Sequence, residues 1–351
     1  MINNIKYILS SDNNPFHNLA LEEYLLSSVK TGECILYLWQ NEKTVVIGKN
    51  QNPWKECKIK ELTEDGGRLV RRLSGGGAVF HDLGNLNFTF LVQKQDYDLQ
   101  KQLSVIIKAV SAFGITAEVT GRNDITVDGR KISGNAFYSD GTHSYHHGTI
   151  LVDVDMEKLS KYLTVSKDKL ISKGVDSVRS RVTNLMDCAR DLENSHIADN
   201  TNMLNVIEKE ININTMKEQL IKAFSSVYQC QLVQIQDTAI DSNEINRLQE
   251  KYSSWEWNYG KKIEFDYSFG SRFDWGNIDL HLNIESGKIN TCQIYSDAMD
   301  VWFIDSLSEA FLNCNFTSDD IKIKLDLIPR RESLTDKMIQ DVIQLILKEG
   351  I

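Results

Sequence analysis

The chain has 351 residues, of which 41% are hydrophobic and 25% are charged, and its formal net charge at pH 7 is -10. This length exceeds one ordinary domain and suits two, and the composition permits a packed core and excludes wholesale disorder. The acidic balance disfavours sequence-independent nucleic-acid binding, which depends on clustered positive charge. No apolar stretch is long enough to span a membrane, and the N-terminal residues lack the basic and apolar regions of a signal peptide. We therefore expect a cytoplasmic protein that binds neither nucleic acid nor membranes.

The cysteines lie far apart in the sequence and form no CxxC pair, which predicts reduced thiols and does not favour a structural zinc site. They are Cys34, Cys57, Cys188, Cys230, Cys292 and Cys314.

The first part of the chain predicts one helix and several strands. Asn14 and Pro15 are typical of a helix start, and the apolar residues from Phe16 to Leu26 recur at helical spacing. The segments ILYLWQ (35–40) and TVVIG (44–48) predict two strands joined as a hairpin. The segment NLNFTFLV (85–92) alternates as a strand, and we expect it to begin directly after a run of glycines.

The middle of the chain predicts helices and two tight hairpins. Apolar residues from Leu99 to Phe113 repeat at helical spacing, with Gly114 as the expected C-cap. Asp128-Gly129 and Asp140-Gly141 predict hairpin turns. Further helices are expected over residues 156–163 and 215–228, and the polar segment 191–210 is expected to be a surface insertion.

The polar stretch QDTAIDSNE (236–244) predicts a domain boundary that separates residues 1–245 from residues 246–351. Beyond it, residues 277–297 predict a hairpin and residues 334–350 an amphipathic helix. Strands cluster with helices interspersed, and the hairpins are antiparallel. The predicted class is therefore α+β, with mixed or antiparallel sheets flanked by helices, and not a doubly wound fold.

The run of three glycines, Gly75 to Gly77, follows Arg71 and Arg72 in RRLSGGGAVFHD. It matches neither GxGxxG nor the P-loop. Glycines let backbone N–H groups approach a ligand closely, and successive amides in a turn form a concavity that binds anions. Arginine suits phosphate or carboxylate geometry. These features favour an anion site, but a flexible turn with surface arginines is the alternative.

A second polar group lies in GRNDITVDGRKISGNA (121–136), which contains Asn123, Asp124 and Lys131. A lysine just after a hairpin turn could neutralise a carboxylate and a phosphate at once. The alternative is a solvated lysine on an edge strand, which is the commoner use of such a residue.

Histidines occur in two places. His146 and His147 are expected to begin a strand beside Gly148, and no further ligands suggest a metal site, so a hydrogen-bonded structural role is favoured. The His81-Asp82 pair suggests a hydrolase triad, but GxSxG is absent and Ser74 stands in the wrong pattern.

The segment SKGVDSVRSRVTN (172–184) combines Gly174 with Arg179 and Arg181. It is either a mobile loop that closes over an anion or the start of a helix with solvated arginines.

The features described above, in their order along the chain, resemble the bacterial lipoate–protein ligase A family. They are the glycine run, the segment 121–136, the segment HSYHHGTIL (143–151) and the segment 172–184. The resemblance covers nearly the whole chain, and the combination of motifs is highly specific. It rests on FHNLALEEYLL, TVVIGKNQNPWKEC, RRLSGGGAVFHDLGN, GRNDI, RKISGNA, HHGTIL, KGVDSVRSRVTN, SSWEWNYG and WGNIDLHLNIESG.

The resemblance implies a catalytic domain over 1–245, with the fold of biotin ligases and class II aminoacyl-tRNA synthetases, and a small α+β accessory domain over 246–351. It implies that Mg-ATP activates lipoate to lipoyl adenylate and that the lipoyl group passes to a lysine of an acceptor. The expected acceptors are lipoyl domains of 2-oxoacid dehydrogenase E2 subunits and the glycine-cleavage H protein.

The resemblance also implies site residues, with Lys131 as the catalytic residue and Asp124 as a magnesium ligand. By position, ATP or the adenylate is expected to contact Arg72, Gly77, Ala78, Val79, Phe80, Asn123, Asp124, Lys131, Lys173, Ser177 and Arg181. Lipoate is expected to contact Ser74, Gly75, Gly76, Gly77, Lys131, His147 and Gly148.

The aliphatic tail of lipoate needs an apolar tunnel, and Trp39, Val46 and Val79 are candidate walls. Because the protein and its expected acceptors are both acidic, docking would need a local basic patch. The residues expected there are Lys49, Lys55, Arg68 and Arg71.

Two alternatives remain. A lipoyl or octanoyl transferase that takes a preformed activated donor would, in one form, need a nucleophilic cysteine, and Cys57 is the nearest one in sequence. A non-catalytic regulator of lipoylation is the other.

Overall fold

A computed structural model of the protein describes residues 2–121, 123–164, 181–198, 211–260, 265–331 and 333–350. The chain divides into two compact units. The large unit comprises Met1–Val46, Glu56–Val70 and Val79–Ser254, and the small unit comprises Ile47–Lys55, Arg71–Ala78 and Trp255–Ile351. The small unit therefore joins the C-terminal part of the chain to two short segments from near the N-terminus. The domain boundary expected after residue 245 stays a prediction.

The large unit is built on a mixed sheet with the strand order β11-β1-β2-β6-β10-β9-β8-β7. Its strands are β1 (Asn4–Leu9), β2 (Glu33–Trp39), β6 (Asn85–Gln93), β7 (Glu118–Thr120), β8 (Asp124–Val127), β9 (Arg130–Ser139), β10 (His143–Leu151) and β11 (Leu232–Gln234). Strand β1 pairs in parallel with β2 and β11, whereas the other neighbours are antiparallel. A second sheet has the order β4-β3-β5, formed by β3 (Thr44–Ile47), β4 (Arg68–Arg71) and β5 (Val79–His81).

Helices cover and connect these strands. They are α1 (Pro15–Ser28), α2 (Pro53–Glu56), α3 (Ile59–Glu64), α4 (Leu99–Ser111), α5 (Met156–Tyr162), α6 (Leu185–Ala198), α7 (Ile213–Tyr228) and α8 (Ser242–Ser253). The predicted α+β class is confirmed.

The central strand β6 gives the sheet two different faces. Leu86, Phe88 and Phe90 are fully buried in a core that includes residues of α4 and α7. Because side chains alternate along a strand, Asn87 and Thr89 lie on the opposite face, the polar face, which is also buried along β6. Residues directly opposite each other in a sheet share a face, so the register of β6 extends this polar face to its neighbours.

The small unit has its own antiparallel sheet and core. The sheet has the order β12-β13-β14, with β12 (Tyr267–Phe273), β13 (Gly276–Glu285) and β14 (Lys288–Ser296). Its helices are α9 (Trp255–Tyr259), α10 (Val301–Phe311), α11 (Ser318–Asp326) and α12 (Ser333–Glu349). The predicted hairpin and C-terminal helix are both present. Within the ranges given above, no helix combines the length and the apolar character needed to cross a membrane.

Several local predictions are confirmed. The Asn14 side chain caps α1 by accepting from the Phe16 N–H. Asp128 and Gly129 have φ values of 49° and 73°, as expected for the turn between β8 and β9. Gly114 also has a positive φ, 76°, but the C-cap of α4 is Ala112. The helix therefore ends before the predicted cap residue.

The predicted hairpin between ILYLWQ and TVVIG is wrong. Strand β2 is buried throughout and pairs with β1 and β6, whereas β3 pairs with β5 in the other sheet. The residues that connect β2 to β3 are held by α1 instead. The Asn18 side chain donates to the Gln40 carbonyl and to the Asn41 side chain. Alternation identifies a strand but does not identify its partner.

One further expectation needs correction. NLNFTFLV does not follow the glycine run directly, because β5 lies between them. Within the polar segment 191–210 the first residues continue α6 to Ala198, and the expected surface insertion stays a prediction. Residues 199–210 lie outside the described residues.

We predict that Phe90→Ala lowers the free energy of unfolding by about 3–5 kcal/mol, because it leaves a cavity among buried rings. The Phe90 ring lies 5.8 Å from Phe88 and 5.7 Å from Phe224. Urea denaturation measures the change. Val119→Ala is the control, since Val119 is 42% exposed, and equal losses in the two variants would contradict this account of the core.

Candidate active site

Lys131 and Asp124 form an ion pair on adjacent strands of the large unit. The Lys131 Nζ lies 2.7 Å from the Asp124 Oδ1, and the two side chains are 31% and 38% exposed. In the register of β8 and β9, Ile125 is opposite Ser133 and Thr126 is opposite Lys131, with an irregularity between them. Because neighbouring residues of a strand face opposite sides, this bulge moves Lys131 away from the core face of Ser133. It places Lys131 on the polar face of the sheet.

Gly134 leaves the space that the Lys131 side chain occupies. Asp124 is directly opposite Gly134 in the sheet. A Cβ at residue 134 would lie 2.7 Å from the Lys131 Nζ and 2.9 Å from its Cε. The missing side chain therefore lets the ammonium cross the strand to the carboxylate. The Gly134 N–H donates to the Thr149 hydroxyl, 3.2 Å away, on the neighbouring strand β10.

The backbone of Lys131 is hydrogen-bonded to two residues at the C-terminal end of the segment SKGVDSVRSRVTN (172–184). Its N–H donates to the Arg181 carbonyl at 2.6 Å, and its carbonyl accepts from the Thr183 N–H at 2.9 Å. The exposed Arg181 is thus brought beside the Lys131 strand by a backbone contact. Lys173 and Ser177 lie outside the described residues.

Asn123 and Asn135 hold the entry to β8 against β9. The Asn123 carbonyl accepts from both the backbone N–H and the side-chain amide of Asn135, and the Asn123 amide donates to the Asn135 carbonyl. The Asn135 Oδ1 lies 2.8 Å from the Nε2 of His146, which is completely buried. Burial lowers the pKa of His146 to about 3, so this histidine is neutral at physiological pH. The predicted structural role of His146 is supported.

His147 belongs to a buried polar chain on the other face. Its Nδ1 lies 2.9 Å from the Glu22 Oε1, which also accepts from the Thr89 hydroxyl at 2.7 Å. The Trp39 Nε1 donates to the same hydroxyl at 3.1 Å. Gly148, the next residue, has no room for a side chain, because a Cβ would lie 2.6 Å from the Phe88 ring and 2.8 Å from the Gly134 carbonyl. His146 and His147 do not begin the strand as expected but lie in the middle of β10.

Glu22, Thr89, Asn135 and Thr149 were not predicted from the sequence. A usable signal existed for Glu22, since this carboxylate stands among Leu19, Leu25 and Leu26 on the apolar side of α1. In the structure it is 2% exposed. A buried carboxylate needs hydrogen-bond partners, and it therefore points to a polar cluster.

Two of the expected tunnel walls share one face of the second sheet, and the third lies near a histidine of the same face. Val46 and Val79 are directly opposite each other in the pairing of β3 and β5. His81 shares a face with Val79, and its ring lies 6.2 Å from the ring of Trp39. Phe80 points the other way and packs on Tyr162, with ring centroids 5.3 Å apart.

The His81-Asp82 pair is structural. His81 is hydrogen-bonded to the Asn41 side chain, and Asp82 accepts from the N–H groups of Gly84 and Asp155.

The glycine run lies in the small unit, where Arg72 organises it. The guanidinium is 5% exposed and donates to the Ser74 hydroxyl and to the carbonyls of Gly75 and Gly77, at 3.0, 2.7 and 2.8 Å. The three glycines serve different purposes. A Cβ at Gly75 would lie 2.2 Å from the Ala298 carbonyl, Gly76 has a φ of 91°, and Gly77 and Ala78 lie toward open space.

The expected basic docking patch needs correction. Arg71 is 7% exposed and each of its guanidinium nitrogens donates to a backbone carbonyl, so it does not form part of a basic surface. Lys49 lies 3.6 Å from Asp305, and Lys55 pairs with Asp279. Only Arg68 among the four expected residues is exposed and forms no ion pair within the described part of the chain.

The donor set for a metal is small. The described residues contain no group of three histidine, cysteine, aspartate or glutamate side chains that could hold a metal ion. Asp124 offers one partly exposed carboxylate, already paired with Lys131. This suits a magnesium ion that arrives with nucleotide phosphates, because such ions take only one or two carboxylates from the protein.

Three of the six thiols, including the one nearest to the glycine run in sequence, are unsuited to catalysis. Burial raises the pKa of Cys57 to about 12, and the side chain is 3% exposed. The pKa values of Cys34 and Cys292 are likewise raised to about 12 by burial. Because the thiolate is the nucleophile, these cysteines disfavour a covalent thioester.

The family model described as the lipoyl protein ligase A/B catalytic domain matches residues 14–225, and that of the bacterial lipoate protein ligase C-terminus matches residues 262–346. These two matches include all of the site residues described above. The chain therefore belongs to the lipoate–protein ligase family.

Particular relatives agree with this assignment. The chain is 37% identical to the lipoate-protein ligase A of Psychrobacter cryohalolentis, and the alignment covers 98% of each chain. The crystal structure of P. falciparum LipL1 in complex with lipoate is 31% identical, with a TM-score of 0.79, and the match covers 97% of this chain and 99% of that chain. A lipoate-protein ligase A bound with ATP is 25% identical, with a TM-score of 0.58 and a coverage of 74% and 99%. The resemblance found in the motifs is confirmed, and so is the predicted class, a lipoate–protein ligase.

We predict that stability depends on pH through His146. Its folded pKa of about 3 lies below the usual value of 6.5. Between these values the unfolded chain binds the proton and the folded chain does not, so stability is fully present above pH 6.5 and falls as the pH is lowered. From pH 7 to pH 5 this group should remove roughly 2 kcal/mol. Urea denaturation of the wild type and His146→Gln at both pH values tests it, and an equal pH dependence in the two proteins would be the contrary result.

We predict that Gly134→Ala impairs the ligase without unfolding it. The added methyl displaces only the flexible end of Lys131, so the free energy of unfolding should change by less than about 1 kcal/mol, while activity falls by about 10²-fold. Gly148→Ala is the contrasting variant, because its methyl would meet backbone and an aromatic ring and should cost stability. Normal activity in a folded Gly134→Ala protein would show that the position of Lys131 is unimportant.

Proposed function

We propose that the protein activates lipoate with ATP to lipoyl adenylate and then transfers the lipoyl group to a lysine of an acceptor protein. The observation that carries this proposal is the Lys131 ammonium, which the bulge in β9 brings to the polar face of the sheet beside Asp124. A fixed cation in a partly exposed position suits two anionic reactants that must meet.

In the first half-reaction, a carboxylate oxygen of lipoate attacks the α-phosphorus of ATP. A new oxygen–phosphorus bond forms, and the bond to the pyrophosphate leaving group breaks. Both reactants are anionic, so Lys131 and Arg72 offset their repulsion and stabilise the charge that develops on the transferring group. Magnesium, held by Asp124 together with the phosphates, would balance the charge of the departing pyrophosphate.

Arg72 must change partners to take part. Its donors now hold the Gly75 and Gly77 carbonyls, which fix the shape of the glycine run. Holding both reactants at this run would make the attack effectively intramolecular. The adenylate is proposed to contact Arg72, Gly77, Ala78, Val79, Asn123, Asp124, Lys131, Lys173, Ser177 and Arg181. Phe80 would contribute through its backbone alone, because its ring is buried against Tyr162.

The residues proposed to contact lipoate are Ser74, Gly75, Gly76, Gly77, Lys131, His147 and Gly148. Support comes from the Trp39, Val46 and Val79 side chains, whose arrangement suits an apolar tail, and from the buried chain of His147 and Glu22 behind it.

In the second half-reaction, the acceptor amine, once deprotonated, attacks the acyl carbonyl of the adenylate. An amide bond forms and AMP leaves. We propose that the acceptors are lipoyl domains of 2-oxoacid dehydrogenase E2 subunits or the glycine-cleavage H protein. A cytoplasmic location stays a prediction.

The transferase alternative would use a preformed activated acyl donor without ATP. In its cysteine-dependent form it is disfavoured by the buried thiols. A regulator without catalysis would have no need to hold Lys131 and Asp124 at 2.7 Å on the polar face.

We predict ATP–pyrophosphate exchange that depends on free lipoate. Lys131→Ala should lower its rate by at least about 10²-fold, because a charge that stabilises the transition state is lost. Lys108→Ala is the control, since Lys108 is an exposed lysine on α4.

The outcomes separate the candidate functions. Exchange in the wild type that is lost in Lys131→Ala supports the ligase. Transfer from synthetic lipoyl adenylate without any exchange would support the transferase, and the absence of both reactions would support the regulator.

A further inference from the structure

Arg71 is the last residue of β4 and precedes Arg72 and the glycine run, but it is buried in the small unit. Its guanidinium donates only to backbone carbonyl oxygens, at distances between 2.7 and 3.2 Å. These carbonyls belong to Gly48, Lys49, Gln51, Trp257 and Asn258. Within the described residues, no carboxylate pairs with Arg71.

The backbone of Arg71 is held by the same short helix, α9. The Arg71 N–H donates to the Asn258 Oδ1 at 2.9 Å, and the Arg71 carbonyl accepts from the Trp257 Nε1 at 2.8 Å. Residues 257 and 258 are therefore hydrogen-bonded to both the backbone and the side chain of Arg71. Arg71 in turn ties residues 48–51 to residues 257–258.

Residues 47–49 also bear directly on the glycine run. The Arg72 N–H donates to the Ile47 carbonyl at 3.0 Å, and the Lys49 N–H donates to the Ser74 carbonyl at 2.9 Å. A Cβ at Gly48 would lie 2.3 Å from the Gly76 carbonyl, so these two segments of the chain are in close contact. On the other side of the run, the Gly76 N–H donates to the Ala298 carbonyl at 3.3 Å.

This arrangement is demanding. A buried charge without a counter-ion is costly unless its donors are satisfied, and here carbonyl dipoles do so. Burial lowers the pKa of Arg71 to about 10, which leaves it charged at neutral pH. Arg71 is buried and each of its guanidinium nitrogens already donates to a backbone carbonyl, so it is poorly placed to bind a phosphate or a carboxylate itself.

We propose that Arg71 is a positioning residue for lipoate activation, which fixes the glycine run through residues 48–51 and 257–258 and so sets the site for the lipoyl carboxylate and the α-phosphate. This inference rests on the proposed function. It gives the two successive arginines different tasks, with Arg71 behind the run and Arg72 inside it.

The test uses the full-length protein with Arg71→Lys and Trp257→Phe. Lysine keeps the charge but cannot satisfy five carbonyls, and phenylalanine keeps a ring but loses the donor to the Arg71 carbonyl. We expect the KM values for lipoate and ATP in pyrophosphate exchange to rise roughly tenfold or more in Arg71→Lys, and less in Trp257→Phe. Arg331→Lys is the control in the same unit, since Arg331 is exposed over Trp302.

Hydrogen exchange of backbone amides supplies a readout that general destabilisation would not give. We expect the Gly76 amide to exchange faster in Arg71→Lys while the amides of β6 keep their protection. A lower active fraction with unchanged KM values, or a uniform loss of protection, would mean that Arg71 only stabilises the fold and would overturn the proposal.

A failure of the proposed function is distinguishable from a failure of this inference. In the former case the wild type shows no lipoate-dependent exchange at all. Faster Gly76 exchange in Arg71→Lys then still supports the positioning of the run, and unchanged Gly76 exchange overturns it.

Discussion

The two faces of the central sheet of the large unit carry different side chains, and the active site depends on this constraint. Leu86, Phe88 and Phe90 of β6 take the core face, which leaves Asn87 and Thr89 on the other. Strand pairing then carries the polar face outward across the sheet, and Asp124, Lys131 and His147 lie along it. A one-residue slip in register would exchange the side chains of the two faces.

Small departures from regular geometry complete the site. The bulge opposite Ile125 turns Lys131 to the polar face, and the absent side chain of Gly134 lets its ammonium reach Asp124. In the small unit, Gly75 and Gly48 allow close contact between chains, whereas Gly76 adopts a left-handed conformation. Lys131, Asp124 and these glycines thus form a site only because the backbone around them departs from regular strand geometry.

Local signals predicted much of the secondary structure. The Asn14-Pro15 start of α1, the Asp128-Gly129 turn and the β13–β14 hairpin depend on neighbours in sequence, and all are present. The prediction that β2 pairs with β3 was wrong. The local sequence is typical of a hairpin, but β2 is buried and pairs with β1 and β6 on its two edges. Glu22 was missed because its partners, Thr89 and His147, are far away along the chain.

By itself, the sequence determined the α+β class, the family and the short segments that carry the chemistry, because these depend on residue type, local spacing and motif order. Only the tertiary structure decided what each residue in those segments does. Arg71 and Arg72 are adjacent and identical in chemistry, yet one is enclosed by the carbonyls of distant segments and the other by the glycine run itself. The difference arises because different backbone segments surround the two guanidinium groups. Since some of these segments are distant in sequence, the local motif RRLSGGGAVFHD cannot predict it.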